Sequence, residues 1–367
     1  MIERATKLTS RAVAALVAVA GLAIGGTGCS SSDGAAAGAG SKAPTSTTTT
    51  STPPPRTGMA VPSPGCSAAP AGAGQPVTLQ RRALDVAGTE RWYLLTVPTA
   101  AAATGTGAKP APLVLDFHGL AEGAEFHSKS SGYNELAQQK GFVVAFPNGT
   151  GQMAAWNIEA SGPNPDADYV QALVAGLGHD LCIDTSRVYA TGLSNGALLS
   201  SVLGCRQSSV FAAVAPVAGV IFPPNCAPDH PMPIMSFHGT ADPILRFNGG
   251  VDGAALAAAL SGQAVSTTTV APDLAGPGYP EAIGKWAAAN GCKVFTDTKV
   301  SDTVIHRVWA CPETGETEFW IVLGGGHTWP GSEGLAAPGI AKIVGVTTND
   351  ISATKESWDF FSRHRRT

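Results

Sequence analysis

Short apolar runs separated by polar stretches are the main pattern of the chain beyond residue 76. Val77–Val86 and Arg91–Val97 alternate or carry β-branched and aromatic residues, which is typical of an antiparallel pair of strands. Later runs are almost wholly apolar, as in strands buried on both faces, and they lie at 113–117, 142–146, 188–190, 212–217 and 233–237.

Helix-like stretches lie between and after these runs, at 133–140, 167–177, 195–203, 281–289 and 352–361. Strands that alternate with helices predict an α/β fold, with a mostly parallel central sheet covered by helices on both faces. We find no internal repeat and no sign of a second domain. Residues 66–367 are therefore interpreted as one folded domain.

The first 28 residues are typical of an export signal. Arg4, Lys7 and Arg11 precede Ala12–Gly26, an apolar run too short and too small-sided to span a bilayer comfortably. The segment that ends in Cys29 resembles the lipobox of bacterial lipoproteins, although glycine stands three residues before the cysteine, where Leu or Val is usual. We expect a signal peptide over 1–28 and lipidation of Cys29; the alternative is plain secretion with an incidental cysteine.

Residues 29–65 are mostly Ala, Gly, Ser, Thr and Pro, with almost no large apolar side chain to bury. This composition predicts a disordered tether. A flexible chain of roughly 36 residues has a root-mean-square span of about 30–36 Å. The folded domain would then act outside the cell, beyond the outer face of the membrane.

Cysteine usage agrees with an exported protein. The chain has 7 cysteines, so six remain besides Cys29, an even number that favours disulfides over free thiols. Sequence alone does not choose among the possible pairings, and one or more free thiols are the alternative. Our predicted pairs are Cys66–Cys182, Cys205–Cys226 and Cys292–Cys311.

Composition and charge narrow the classes of function. The 367 residues are 44% hydrophobic and 14% charged, with a net charge of -4, so no basic field favours nucleic acid. Neither the ligand spacing of a metal site nor a phosphate-binding loop is apparent. We therefore predict no metal, no cofactor and no nucleic-acid partner.

The candidate chemistry centres on Gly192-Leu193-Ser194-Asn195-Gly196. This motif follows the strand-like 187–190 and opens the predicted helix at 195, which is the strand–turn–helix setting of a nucleophile elbow. The small glycines would let the helix pack against the strand, and Ser194 would project over the carboxyl edge of the sheet. The alternative is a glycine-rich turn with an idle serine.

A nucleophilic serine needs a base that is held by an acid, and in α/β-hydrolases the chain order is Ser, Asp, His. Asp242 comes just after the apolar run that ends at 237, and His327 follows a predicted strand and three glycines. A turn aspartate and a loop histidine are the alternatives for these two. Structural or solvated roles are expected for three other downstream histidines, His230, His306 and His364.

An oxyanion hole needs two backbone amides. Phe117-His118-Gly119-Leu120 ends an early strand, so we predict the amide of Leu120 as one donor and that of Asn195 as the other. His118 would brace this loop. The alternative is a plain strand end with a glycine turn, and His238-Gly239 shows that the dipeptide alone does not identify an oxyanion loop.

These motifs, together with His238-Gly239-Thr240-Ala241-Asp242-Pro243 and Gly325-Gly326-His327-Thr328-Trp329-Pro330-Gly331, resemble the secreted polyhydroxybutyrate depolymerase and feruloyl esterase family of α/β-hydrolases. The resemblance extends from about Cys66 to the end. It implies an α/β-hydrolase fold, with Ser194, Asp242 and His327 as nucleophile, acid and base. Arg246 and the long segment 254–277 depart from the pattern; the latter is either a mobile lid or a surface insert.

The resulting prediction is an exported serine esterase that acts on polyhydroxyalkanoate-like, feruloyl, acetyl or other short acyl esters. Trp329, Trp156 and Tyr133 are candidates for an acyl or aryl pocket, with core positions as the alternative. Activity should fall as His327 protonates below roughly pH 6.5. An acyltransferase with the same triad and a non-catalytic surface-binding lipoprotein are the alternative functions, and the sequence indicates neither the natural ester nor the oligomeric state.

Overall fold

The computed structural model describes residues 58–68, 74–104, 107–265 and 271–366. The predicted signal peptide, the predicted lipidation site Cys29 and most of the predicted tether lie outside these described residues.

Ten strands of the described chain form one mixed sheet in the order β1-β2-β4-β3-β5-β6-β7-β10-β9-β8. The six central strands, from β4 to β10 in that order, are parallel, and an antiparallel pair flanks them at each edge. The strands are β1 (Val77–Val86), β2 (Thr89–Val97), β3 (Ala111–Phe117), β4 (Val143–Pro147), β5 (Ile183–Leu193), β6 (Ala213–Val217), β7 (Ile234–Gly239), β8 (Phe295–Lys299), β9 (Val304–Trp309) and β10 (Thr317–Val322).

Helices cover both faces of this sheet. In the described residues they are α1 (Gly65–Ala68), α2 (Ala124–Ser130), α3 (Tyr133–Lys140), α4 (Pro165–Asp180), α5 (Asn195–Arg206), α6 (Gly253–Leu260), α7 (Tyr279–Ala289), α8 (Pro338–Val344) and α9 (Ala353–Arg363). The predicted fold class, a mostly parallel sheet between two helical layers, is confirmed.

The two-residue period of strand β3 divides the core between the two faces. Leu113 and Leu115 pack in the same apolar cluster as Leu173 of α4, whereas Val114 packs in the opposite cluster with Phe361 of α9. Every residue of β3 is buried, as are those of β4, β6 and β7. Continuous apolar runs therefore marked these strands because neither face meets water.

All three predicted disulfides are present in the described chain, and they pair Cys66 with Cys182, Cys205 with Cys226 and Cys292 with Cys311. Cys66–Cys182 spans 116 residues and fastens the short helix α1 beside the start of β5. Cys205–Cys226 closes the end of α5 onto the loop after β6.

The first and last described segments meet at the amino end of β5. The buried carboxylate of Asp184 accepts a hydrogen bond from the Val61 amide (3.0 Å) and forms an ion pair with Arg365 (2.8 Å). The Ser63 hydroxyl donates to Leu181 O and accepts from the Ile183 amide. These segments therefore dock at the amino ends of the parallel strands, on the side of the sheet opposite their carboxyl ends.

In the described part of the chain, none of the helices is both long enough and apolar enough to cross a bilayer.

Candidate active site

The carboxyl ends of the central strands bring three distant parts of the chain to one edge. Leu193 at the end of β5 pairs with Val217, Val217 pairs with Phe237, and Phe237 pairs with Trp320 of β10. The loops that follow β5, β7 and β10 carry Ser194, Asp242 and His327. The register of the sheet therefore places residues up to 133 positions apart, Ser194 and His327, at the same edge (327 − 194).

Ser194 lies in the sharp turn between β5 and α5. Its φ of 55° and ψ of -117° are unusual for a residue with a side chain. The turn leaves no room for neighbours with side chains: a Cβ on Gly192 would lie 2.5 Å from Phe117 O, and one on Gly196 would lie 2.2 Å from the same oxygen. The geometry is that of a nucleophile elbow, a strained strand–turn–helix corner.

Asp242 and His327 are joined by a hydrogen bond of 2.7 Å between Oδ2 and Nδ1. The other carboxylate oxygen accepts from the Ile244 and Leu245 amides, each at 2.8 Å. Asp242 is 4% exposed and His327 is 6% exposed. The carboxylate is thus fixed from both oxygens, and the bond at Nδ1 leaves Nε2 of His327 for another partner.

Burial by itself favours the neutral form of the Asp242 carboxyl. The opposing attraction and hydrogen bonds of the His327 and His238 rings hold its pKa well below the ordinary value. The group is therefore ionised at neutral pH. An ionised carboxylate at Nδ1 fixes the imidazole tautomer and can stabilise an imidazolium.

The Ser194 hydroxyl makes no hydrogen bond to any residue that the structure describes. The structure therefore has a hydrogen bond between Asp242 and His327 but none between His327 and the Ser194 hydroxyl. Catalytic hydrogen bonds of this kind are often long or poorly aligned until substrate binds.

The loop after β3, residues 118–123, packs directly against the elbow; we call it the oxyanion loop after the role predicted for its Leu120 amide. A Cβ on Gly119 would lie 3.6 Å from Cβ of Ser194. The amides of Gly119, Ala121 and Glu122 all have acceptors, whereas that of Leu120 bonds to no described residue.

The second predicted donor, the Asn195 amide, belongs to the first turn of α5, where backbone N–H groups have no intrahelical acceptor. The positive end of the helix dipole lies at the same place. The unbonded amide of Leu120 and the helix start at Asn195 therefore suit the two predicted oxyanion donors.

His118 and Trp156 tie the oxyanion loop to its surroundings. His118 Nδ1 bonds Gly119 O at 2.7 Å, and Nε2 accepts from the Gly149 amide at 2.8 Å. Burial lowers the pKa of His118 to about 4, so the ring is neutral and can both donate and accept. Trp156 donates from its indole to His118 O and from its amide to the Asn195 side chain.

The three aromatic residues predicted as pocket candidates are buried, and each directs its polar atom to protein. Trp156 bonds His118 O as described, Trp329 donates to Thr354 Oγ1 at 2.9 Å, and the Tyr133 hydroxyl meets Ser357 Oγ at 2.6 Å. Their exposed fractions are 4%, 1% and 0%. The structure therefore favours supporting positions behind the site over a place on its surface.

Sequence reasoning missed two groups beside the site. His238 Nε2 lies 3.3 Å from Asp242 Oδ2 and 2.9 Å from Leu245 O, and its ring stacks on Tyr279. A second group, Asp116 with His127, lies behind the oxyanion loop. Asp116 was a detectable signal, since a charged residue in a strand buried on both faces must have a partner.

The segment 254–277, predicted to be a lid or an insert, is described except for 266–270. The first part of this segment belongs to helix α6, which Asp252 caps by accepting hydrogen bonds from the Ala254 and Ala255 amides. Arg246 pairs with Asp252 at 2.5 Å. The later part is held to the domain by bonds between Asn248 and Asp273, at 2.7 and 2.9 Å.

Among the described residues there is no group of three or more His, Cys, Asp or Glu side chains arranged to hold a metal ion.

A family model and several known proteins are similar in sequence to this chain. A family model described as esterase PHB depolymerase matches residues 92–265. A putative esterase, NocK, from Nocardia uniformis subsp. tsuyamanensis is 30% identical over 295 residues, which are 77% of this chain and 82% of that protein. Feruloyl esterase B of Piromyces equi is 32% identical over 233 residues, or 60% of this chain but only 40% of that longer protein.

The solved structure of an acetyl xylan esterase from Aspergillus awamori covers 68% of this chain and 94% of its own, at 17% identity and a TM-score of 0.46.

Proposed function

The chain belongs to the polyhydroxybutyrate depolymerase family of esterases, and from that premise we propose that it hydrolyses carboxylic esters through an acyl-enzyme on Ser194. The observation that carries this proposal is the 2.7 Å bond between Asp242 and His327, at the same sheet edge as the strained serine. A strained serine and, at the same sheet edge, a histidine held by a buried carboxylate are the parts of a serine hydrolase triad.

The proposed reaction proceeds in two steps. Nε2 of His327 takes the proton of Ser194 as Oγ attacks the ester carbonyl, and the amides of Leu120 and Asn195 stabilise the oxyanion. The imidazolium then protonates the departing alcohol as the carbon–oxygen bond breaks. Water, deprotonated by His327, attacks the acyl-enzyme and releases the acid, which restores the serine. Each atom transferred comes from the ester, water or these residues, so the reaction needs no cofactor.

The proposed substrates are esters of short acyl or hydroxycinnamic acids, including those on polysaccharides or polyesters. The support is the family itself and the names of similar proteins, which are a feruloyl esterase and a bifunctional acetylxylan esterase/xylanase. Fold and triad fix the bond that is broken, and the groups on either side of it are a separate property of the surface.

The test is a panel of esters measured with the wild type and with Ser194→Ala. We expect turnover of 4-nitrophenyl acetate and of at least one feruloyl, acetyl-sugar or hydroxybutyrate ester, and its loss to the uncatalysed rate in the variant. Product esters that form only with an added alcohol would instead favour an acyltransferase. Retention of polyester or polysaccharide without turnover would favour a binding protein, and either result overturns the proposal.

We also propose export and anchoring through Cys29, on the strength of the leader pattern and of where the chain enters the domain. Val61 and Ser63 dock at the amino end of β5, whereas Ser194 follows its carboxyl end. A strand of 11 residues separates the two, or about 35 Å at a rise near 3.3 Å per residue. An anchor on the docking side would leave the site facing away from the membrane.

The Cys29→Ala variant checks the anchor. In cells fed a clickable palmitate analogue, the wild-type chain should take up label and sediment with membranes, and the variant should do neither. An unlabelled wild-type chain in the medium would contradict anchoring and leave export intact.

A further inference from the structure

Three ionisable side chains that the proposed mechanism does not use lie behind the oxyanion loop. His127 on α2 contacts a carboxylate with each ring nitrogen: Nε2 bonds Asp116 Oδ1 at 2.7 Å, and Nδ1 lies 3.1 Å from Glu122 Oε2 at an ion-pair distance. His127 and Asp116 are 1% and 0% exposed, and the Glu122 side chain is 10% exposed. We call these residues the Asp–His–Glu cluster.

The cluster reaches the oxyanion loop through Glu122. Its Oε2 accepts a hydrogen bond from the Gly119 amide at 2.6 Å, and its own amide donates to Gly119 O at 3.1 Å. The Gly119 N–H that the carboxylate holds belongs to the peptide unit just before the one that carries the Leu120 N–H. Gly119 O is the other end of the Leu120 unit, and it is held by the Glu122 backbone amide and the His118 ring. Because a trans peptide is planar, fixing that carbonyl fixes the direction of the N–H.

His127 also touches the loop that carries the proposed base. Its ring meets Trp329 edge to face, with centroids 5.6 Å apart and an interplanar angle of 79°. Trp329 follows His327 by two residues. One buried imidazole therefore contacts both the residue that pins the oxyanion loop and the loop of the base.

We propose that the Asp–His–Glu cluster is a positioning unit for the oxyanion hole: Asp116 on the rigid strand holds His127, His127 holds Glu122, and the Glu122 carboxylate holds the Gly119 amide, so that the turn between Gly119 and Glu122 aims the Leu120 amide. This inference rests on the proposed esterase function. It adds three residues that act through Leu120 and do not themselves touch the substrate.

The charges of the cluster suit this role. Burial alone would lower the pKa of His127, but Asp116 and Glu122 outweigh it and raise that pKa to about 10. The pKa of Glu122 stays below its ordinary value despite burial, chiefly because of the same cation. The remaining ring that faces the cluster, His118, is neutral at pH 7. The His127 cation therefore offsets a carboxylate that would otherwise oppose negative charge forming near Leu120.

Glu122→Gln and His127→Gln test the proposal in the ester assay. Removing a whole oxyanion donor lowers kcat by about 10²–10³, and a misaimed donor should cost less, so we expect a fall of about 10–10². KM should change little, because the lost interaction belongs to the transition state. Glu122→Gln keeps an acceptor for the Gly119 amide and should retain more activity than Glu122→Ala.

A trifluoromethyl ketone supplies a readout that a merely structural role would not move. Ser194 adds to its carbonyl, the proton passes to His327, and the resulting oxyanion occupies the hole. Across the variants, the inhibition constant should rise by the same factor as kcat/KM falls. His306→Gln is the matched control. His306 lies on β9 and pairs with Glu318 of β10 at 2.7 Å, so its replacement should leave both the inhibition constant and kcat/KM unchanged.

Stability against pH tests the charge of His127 separately. A histidine whose pKa is raised on folding stabilises the fold fully below its unfolded value of about 6.5, and this stabilisation is lost as pH rises through about 10. The difference in melting temperature between the wild type and His127→Gln should therefore shrink between pH 6.5 and 10.5. A constant difference would contradict a cationic His127.

The inference and the proposed function fail in different ways. Unchanged kcat and inhibition constants in folded Glu122→Gln and His127→Gln, with turnover still abolished by Ser194→Ala, overturn the positioning unit alone. Wild-type turnover that does not depend on Ser194 overturns the proposed function.

Discussion

The Asp242→Asn variant is expected to lose about four orders of magnitude in kcat, the scale at which removal of the acid traps a triad histidine in the wrong tautomer. An amide NH₂ facing Nδ1 would make that nitrogen an acceptor and place the imidazole proton on Nε2. His327 could then no longer receive the proton of Ser194. The measurement is kcat and KM for a 4-nitrophenyl ester.

The fold should survive this change, because the asparagine oxygen can still accept from the Ile244 and Leu245 amides. Asp252→Asn is the matched control: Asp252 also accepts from two backbone amides, each at 3.0 Å, at the start of α6. Its kcat should stay within a factor of about two, since an asparagine caps a helix as well as an aspartate does. Equal losses in the two variants would contradict the role of Asp242.

The Gly196→Ala variant is expected to lower the free energy of unfolding by about 3 kcal/mol and to remove most activity. The added Cβ would lie 2.2 Å from Phe117 O and 2.6 Å from His118 O. Neither oxygen is at the flexible end of a side chain, so α5 must move away from β3. That movement would displace Ser194 and the oxyanion loop together. Urea unfolding and the ester assay measure the two effects.

Gly176 supplies the comparison for this substitution. It lies in α4, and a Cβ there would meet no atom within 4 Å. Gly176→Ala should raise stability by about 0.5–1 kcal/mol, because alanine loses less backbone entropy in a helix. If both alanines had the same effect, the tight approach of α5 to β3 would not be what requires glycine at 196.

Continuous burial explains why the centre of the sheet could be predicted. The runs at 113–117 and 142–146 are apolar except for Asp116, because their strands have helices on both sides. The strand β8 (Phe295–Lys299) could not be found in this way. Each of its residues is exposed, and it exists through its ladder with β9 and not through an apolar face.

Helix α2 (Ala124–Ser130) was missed for a related reason. Its buried positions are mostly polar, with His127, Ser128 and Ser130 among them, so it shows no apolar stripe. In contrast, α4 was predicted at nearly its right place. Its cap is Asn164, its first turn contains Asp166 and Asp168, and Asp166 forms a buried pair with Arg91 at 2.7 Å.

The candidate triad could be predicted because it depends on chain order and on strand ends, both of which are visible in a sequence. Which groups support it depends on contacts across the fold. His238 was recognised only as part of a repeated dipeptide, yet it lies against Asp242. The partners of Asp116 likewise became identifiable only when α2 was placed behind the loop after β3.

Covalent labelling with an organophosphate asks whether Ser194 is the nucleophile. The wild type is treated with diethyl 4-nitrophenyl phosphate, its disulfides are reduced, and its tryptic peptides are analysed by mass spectrometry. We expect a single diethylphosphoryl group on Ser194, within the peptide 188–206, and loss of esterase activity in proportion to labelling. Complete inhibition with the label on another residue, or full activity after Ser194 is labelled, would contradict this role of Ser194.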